Sequence, residues 1–307
     1  MRVALLFIDG VGIGPRDPRS NPLAQAAFLH SQFLDGTGTP LPDGGQVHRL
    51  DTTFGLPGRP QSASNQTAIY TAAEAPRLVE GHVAGYPSTA LKRLLHERSI
   101  ARRIRAAKRS VTSANVYPLE YLEALGLPHL PSEPDGVMIP QEHRRRLRAS
   151  ASTLAMAAGE VPLRTFGHAR ADEGLTHDID GAGARGRGWA LPPRTANAAA
   201  RIFWALAEDF TLFEHFLADE AGHRQDEAAA LEALGTFDAF AREVIARRPE
   251  DCMVILCSDH GNVEDLTTRN HTTNPVAALV FGLEETGPMR TVADVGRLIL
   301  RALAIEP

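Results

Sequence analysis

Cysteine is almost missing from this chain. Two occur in 307 residues, Cys252 and Cys257, too few for a disulfide framework or a thiolate metal site. They lie five apart in one apolar run, so on an extended strand they point to opposite faces and can neither pair nor share an ion. Both read as small core residues of a reduced protein. No stretch approaches the ~18 consecutive apolar residues of a membrane span. The opening "MRVALLFIDG" has too short an apolar run for a signal peptide and no small-residue cleavage site. Charge of one sign is not in large excess either. A formal net charge of −5 gives no bulk electrostatic ground for a nucleic-acid partner. What remains is a cytoplasmic globular protein with no nucleic-acid or membrane partner, long enough for one large domain or two modest ones.

Apolar runs and helical patterns alternate along the chain. "RVALLFI", residues 2 to 8, is hydrophobic without alternation, as in a central strand of a parallel sheet. A polar loop rich in Gly and Pro is expected over about residues 35 to 60. "QTAIYTAAEA" and "STALKRLLHERSIARRIRAAKRS" read as helices and "VTSANVY" as a strand. From about Pro118 to residue 194 prolines and an open glycine-rich loop change the texture, which marks an inserted cap. "TANAAARIFWALAE" resumes as a helix, "FTLFEHFLAD" reads as a strand, and a long helix leads to the strand "CMVILCS". "VAALVFG" follows, then a last helix, "TVADVGRLILRALA". Strands alternating with helices of crossover length give an α/β fold with a mainly parallel sheet.

Chemistry in open α/β sheets gathers past the carboxyl ends of the strands. Asp9 follows the first strand, Asp219 follows "FTLFEHFLA" with His223 four residues on, and Asp259 and His260 follow "CMVILCS". His271 stands eleven residues beyond His260, in "RNHTTNPV". Mixed Asp and His donors suit Zn²⁺ or Mn²⁺. Six such residues exceed one catalytic ion and match two ions ~4 Å apart, the arrangement that clamps an in-line displacement. A nucleophile is offered by "RPQSASNQTAIYTA", where Ser62, Ser64 and Thr67 all precede or open a helix.

The ordered set "FIDGVGIG", "DEAGH", "SDHGN" and "HTTNPV" resembles the alkaline phosphatase superfamily, closest to its cofactor-independent phosphoglycerate mutase and phosphopentomutase branch. The resemblance implies an alkaline-phosphatase-like core, residues 1–117 and 195–307, with a mainly parallel central sheet flanked by helices and a small cap at 118–194. It implies one ion on Asp219, His223 and His271, and a second on Asp9, Asp259, His260 and the nucleophile. Counting nine residues back from Thr71-Ala72 makes that nucleophile Ser62, with Thr67 in reserve. The mutase pattern Gly-Asn-Ser-Glu-Val-Gly-His is replaced here by "PQSASNQ" around it.

The implied activity is two-metal phosphoryl transfer on a small phosphorylated molecule through a phosphoserine, with Mn²⁺ or Zn²⁺ as cofactor. The small cap and the lack of the mutase Arg-Asp clamp point to a phosphatase or phosphodiesterase. The alternatives are a phosphomutase and a non-catalytic metal-binding module. In the cap, His177 and Asp178 of "GLTHDIDG" are candidate substrate contacts. The glycines Gly10, Gly12 and Gly14 invite a dinucleotide reading, but Pro15 interrupts the pattern. Glu264 and Asp265 are expected to be solvated loop charges, with a hydrogen bond to a ligand histidine as the alternative.

Overall fold

Six-residue and seven-residue apolar runs become central strands because a period of two gives each face of the sheet its own core. In the computed structural model, which describes residues 1–133, 136 and 138–307, the strands are β1 (Arg2–Ile8), β2 (Gln46–Leu50), β3 (Val111–Ser113), β4 (Val116–Tyr117), β5 (Arg164–Thr165), β6 (Phe210–His215), β7 (Cys252–Cys257) and β8 (Val276–Phe281). The main sheet runs β2-β8-β7-β1-β6-β3. β1, β3, β6 and β7 are parallel, while β8 is antiparallel to both β7 and β2. Leu5, Phe7, Ile255 and Cys257 bury into one face with the helices Ser62–Thr71 and Ala293–Ala302. Leu6, Ile8, Cys252 and Leu256 bury into the other with the helices Ala196–Ala205 and Glu227–Ala246. The two cysteines do sit on opposite faces, free and buried. Among the described residues, no helix is long and apolar enough to cross a membrane.

The register sets the working edge. Ile8 pairs with His215, and Phe7 pairs with Cys257, so β1, β6 and β7 end at one level. The chain past each of them starts from the same edge of the sheet.

Several elements differ from the sequence reading. Residues 46 to 50, expected as polar loop, form β2, an edge strand in which half-buried Gln46 and His48 and buried Leu50 alternate with exposed Val47 and Arg49. Its weak hydrophobic pattern is what a half-covered edge allows. "FTLFEHFLAD" is a strand only to His215; Leu217–Arg224 is a helix with Asp219 and Glu220 in its first turn and Arg224 in its last, charges that suit the helix dipole. Asp219 and His223 thus stand on one helical face rather than in a loop. "VTSANVY" splits because Asn115 takes over the backbone of Glu214. Its Oδ1 accepts from the Glu214 N–H at 2.8 Å and its Nδ2 donates to the Glu214 carbonyl at 2.8 Å. The helical stretch 89–106 breaks at Ser99, which caps the second piece and donates to the Ala155 carbonyl at 2.6 Å.

Between 118 and 194, the helix Ala151–Ala158 packs into the first core through Ala155 and Met156. Phe166, Ala169, Ala184 and Leu191 make a small separate cluster beside β4 and β5. Pro134, Asp135 and Val137 of this stretch lie outside the described residues.

The helix Ser62–Thr71 is held close to Ala293–Ala302 at Gly296. A Cβ there would collide with the Ile69 carbonyl and approach Ala72 N within 3.0 Å. Gly296→Ala is therefore expected to cost about 1–3 kcal/mol by overpacking. A urea unfolding midpoint unchanged by the substitution would contradict this close packing.

Candidate metal centre

Two clusters form where the three strands end. Asp9, Asp259 and His260 make one and Asp219, His223 and His271 the other; within each, ligand atoms lie within 4.8 Å of one another. All six resemblance-derived ligands are brought together. The clusters touch through His260 and His271, whose rings stack at 3.7 Å between centroids.

In the first cluster Asp9 directly follows β1 and donates its N–H to the His215 carbonyl at 2.8 Å. His260 Nε2 lies 3.4 Å from Asp9 Oδ1 and 3.4 Å from Asp259 Oδ2. Asp9 Oδ1 is buried and has no hydrogen-bond partner. Gln66 donates from Nε2 to Asp9 Oδ2 at 3.0 Å and to Asp259 Oδ2 at 3.2 Å. That one amide sets the rotation of both carboxylates.

In the second cluster each imidazole is oriented from behind. His223 Nδ1 is 2.7 Å from the Arg269 carbonyl and His271 Nδ1 is 2.8 Å from the Pro60 carbonyl. Carbonyls only accept, so both Nδ1 atoms carry hydrogen, and each ring when neutral presents a bare Nε2. These Nε2 atoms face each other at 3.1 Å and lie 3.2 and 3.7 Å from the Asp219 carboxylate. Two lone pairs and a carboxylate converging on one point fit a cation. Asn262 Nδ2 fixes Asp219 Oδ1 at 2.8 Å, the kind of outer support that metal ligands carry.

The electrostatics follow from burial. Burial, then the Asp219 charge, pushes the Asp259 carboxyl up to about 7. Burial and the neighbouring Asp259 and Asp219 charges push Asp9 well above the usual carboxylate range. Burial alone would raise Asp219 too, but the His223 hydrogen bond, with His260 and Asn262, holds it below its ordinary value. His223 is raised to about 9 by the same Asp219 bond, and burial lowers His260 and His271 to about 4. Neutral His260 and His271 beside acids short of a counter-ion suit a metal site.

Ser62 opens its helix, and its Oγ lies 2.8 Å from His260 Nε2. The reserve, Thr67, is turned away: its hydroxyl is buried and donates to the Ala63 carbonyl at 2.6 Å. Ser64 likewise donates to the Gln61 carbonyl at 3.1 Å. The structure does not bring His177 and Asp178 to the clusters. His177 Nδ1 sits 3.0 Å from the Glu214 carbonyl, and Asp178 accepts from the N–H groups of Gly181 and Gly183. They line a different recess from the one beside His223 and His271.

The sequence reading missed Gln66 and misjudged Glu264. Glu264 is fully buried and accepts from the N–H groups of Gly12 at 3.0 Å and Asn262 at 2.8 Å, from Asn274 Nδ2 at 3.1 Å, and from the Thr272 hydroxyl. It ties the loop 259–274 to the turn after β1. Gly12 has no side chain because the Glu264 carboxylate occupies that space, which replaces the dinucleotide reading with a packing reason. Gln66 stands four residues beyond Ser62, one helical turn on, a spacing that signals a shared face.

The chain's C-terminal residues 188–307 match the model of the Metalloenzyme superfamily, a span that contains five of the six clustered residues. The fold is alkaline-phosphatase-like. The structure of alkaline phosphatase from the Antarctic bacterium TAB5 aligns with TM-score 0.54 at 15% identity over 99% of this chain and 98% of that one. Leishmania mexicana phosphoglycerate mutase aligns with TM-score 0.54 at 11% identity over 100% and 96%. At such identities the likeness is one of fold. Phosphopentomutase of Helicobacter acinonychis is 35% identical over 102 residues, 32% of this chain and 24% of the relative. That of Deinococcus radiodurans is 36% identical over 89 residues, 28% and 23%. The chain thus covers about a quarter of the length of these curated relatives.

Removing one clustered charge separates stability from metal binding. Asp259→Asn should raise the thermal midpoint of metal-free protein, because the buried acid is spared ionisation. Asp259 has a raised folded pKa, so the penalty in wild type is absent below about pH 4, develops as pH rises, and is complete above about 7. The gain from Asn should therefore be larger at pH 8 than at pH 5, and the variant should lose the midpoint rise that added Mn²⁺ gives the wild type. A gain equal at both pH values would contradict the assignment.

Proposed function

We propose that this chain catalyses metal-dependent phosphoryl transfer through a phosphoserine on Ser62. The observation that carries the proposal is the position of Ser62 Oγ, 2.8 Å from His260 Nε2 at the opening of a helix. Two divalent ions, Mn²⁺ or Zn²⁺, held by Asp219, His223 and His271 and by Asp9, Asp259 and His260, would neutralise phosphoryl oxygens and lower the pKa of the Ser62 hydroxyl. Gln66 keeps Asp9 and Asp259 in their ligating rotation, and the Arg269 and Pro60 carbonyls keep the His223 and His271 rings in theirs.

The chain's own residues then set the order of bond changes. Ser62 Oγ attacks phosphorus, an Oγ–P ester forms, and the bond to the leaving oxygen breaks. The first-turn N–H groups of the Ser62 helix favour the phosphoryl charge beside them. A second displacement at phosphorus frees Ser62, and its acceptor decides the activity.

A hydroxyl of the retained substrate as acceptor makes a phosphomutase, the outcome supported by the phosphopentomutase relatives. Water as acceptor makes a phosphatase, a second reading favoured by the openness of the site: the His223 side chain is 45% exposed. In this proposal residues 1–117 and 195–307 supply the metal-binding core and 118–194 the specificity region. The substrate is a small phosphorylated molecule and the setting cytoplasmic.

Protein loaded with Mn²⁺ or Zn²⁺ and given a pentose 1-phosphate should yield the 5-phosphate if it is a mutase, and free phosphate if it is a phosphatase. Ser62→Ala should lose either activity by at least about a thousandfold while still taking up metal. Undiminished turnover in Ser62→Ala would overturn the phosphoserine route.

A further inference from the structure

The recess beside the clusters, about 370 Å³, is lined by Arg59, Gln61, His223, Asn270 and His271. That volume suits a small metabolite rather than a polymer. Two of the five are ligand imidazoles. The other three are a guanidinium and two carboxamides, and no carboxylate lines the recess although the chain carries a net charge of −5. The lining is thus cationic and rich in donors, a surface for an anion with several acceptor oxygens.

Arg59 is its one permanent charge. Its guanidinium forms no ion pair or hydrogen bond among the described residues, whereas Arg2, Arg19, Arg77, Arg93 and Arg242 each hold a carboxylate within 3.0 Å. The backbone that carries it is nevertheless fixed. Pro57 and Pro60 flank it, the Pro60 carbonyl accepts from His271 Nδ1 at 2.8 Å, and the Gln61 carbonyl accepts from Asn65 N at 3.0 Å as the helix begins. A charged fork with a free end therefore projects from an anchored loop, three residues before Ser62. Two arginines of the expected cap are, by contrast, already held by carboxylates: Arg144 pairs with Glu120, and Arg194 with Asp172.

We propose that Arg59 is the substrate-binding residue that holds the phosphoryl oxygens of a small phosphate ester over Ser62. The assignment rests on the phosphoryl-transfer reading above and adds the residue and the anion it grips. A planar guanidinium meets two phosphoryl oxygens with parallel N–H bonds, which a lysine ammonium cannot reproduce. The contact binds substrate and leaves the chemistry to Ser62.

Calorimetric titration of inorganic phosphate into Mn²⁺-loaded wild type, Arg59→Ala, Arg59→Lys and Ser62→Ala tests this, with metal content measured on the same samples. Arg59→Ala should weaken phosphate at least about tenfold, Arg59→Lys should recover part of the loss, and Ser62→Ala should retain binding. In turnover assays Arg59→Ala should raise KM with little change in kcat, and its thermal midpoint and metal content should match wild type, since the side chain supports no packing. Phosphate affinity and KM within about twofold of wild type, with metal bound, would overturn the Arg59 assignment alone. A wild type that takes up no metal would overturn the phosphoryl-transfer reading and this assignment together.

Discussion

Three carboxylates and three imidazoles meet at the end of a parallel sheet, and no lysine or arginine forms an ion pair with any of them among the described residues. Asp9 and Asp259 are buried side by side, and two imidazole Nε2 atoms face each other across 3.1 Å. Burying such a set is unfavourable by several kcal/mol unless opposite charge arrives. Much else in the molecule serves to hold that set together against its own repulsion.

The sheet supplies the first constraint. Because β1, β6 and β7 end in register, the residues past them converge without long loops. The second is the buried Glu264, whose bonds to Gly12, Asn262, Asn274 and Thr272 pull the loop carrying His260 and His271 onto the turn after β1. The third is the Ser62 helix, pinned at Gly296 on one side and delivering Ser62 and Gln66 on the other. Stability and function oppose one another at this point, as they often do where a site is assembled before its ligand binds.

Sequence alone carried the parts of this picture that rest on strong local signals. β1 and β7 are apolar on both faces, so their ends, and with them Asp9, Asp259 and His260, could be located from the run of residues. Asp219 and His223 were found as a pair, though on a supposed loop, because the apolar "FTLFEHFLA" hides the change from strand to helix at Phe216. β2 was lost because an edge strand needs only one covered face. Glu264 was read as solvated because an acid in a polar loop usually is; only the fold reveals four donors converging on it. Arg59 and Gln66 have no motif of their own. Their roles come from neighbours 57 to 212 positions away, distances that periodicity cannot see.

His177 and Asp178 looked like site residues because they share a polar segment, yet their polar atoms are satisfied by Glu214, Gly181 and Gly183. The proposed anion site lies instead on the loop that precedes Ser62.

The central claim is that the six clustered groups form a site for two cations. Metal content after equilibrium dialysis against Mn²⁺ tests it most directly, with Asp219→Asn and Asp9→Asn as paired variants. The account expects two ions per chain in the wild type and about one in each variant, with a different ion lost in each. One ion or none in the wild type would contradict it.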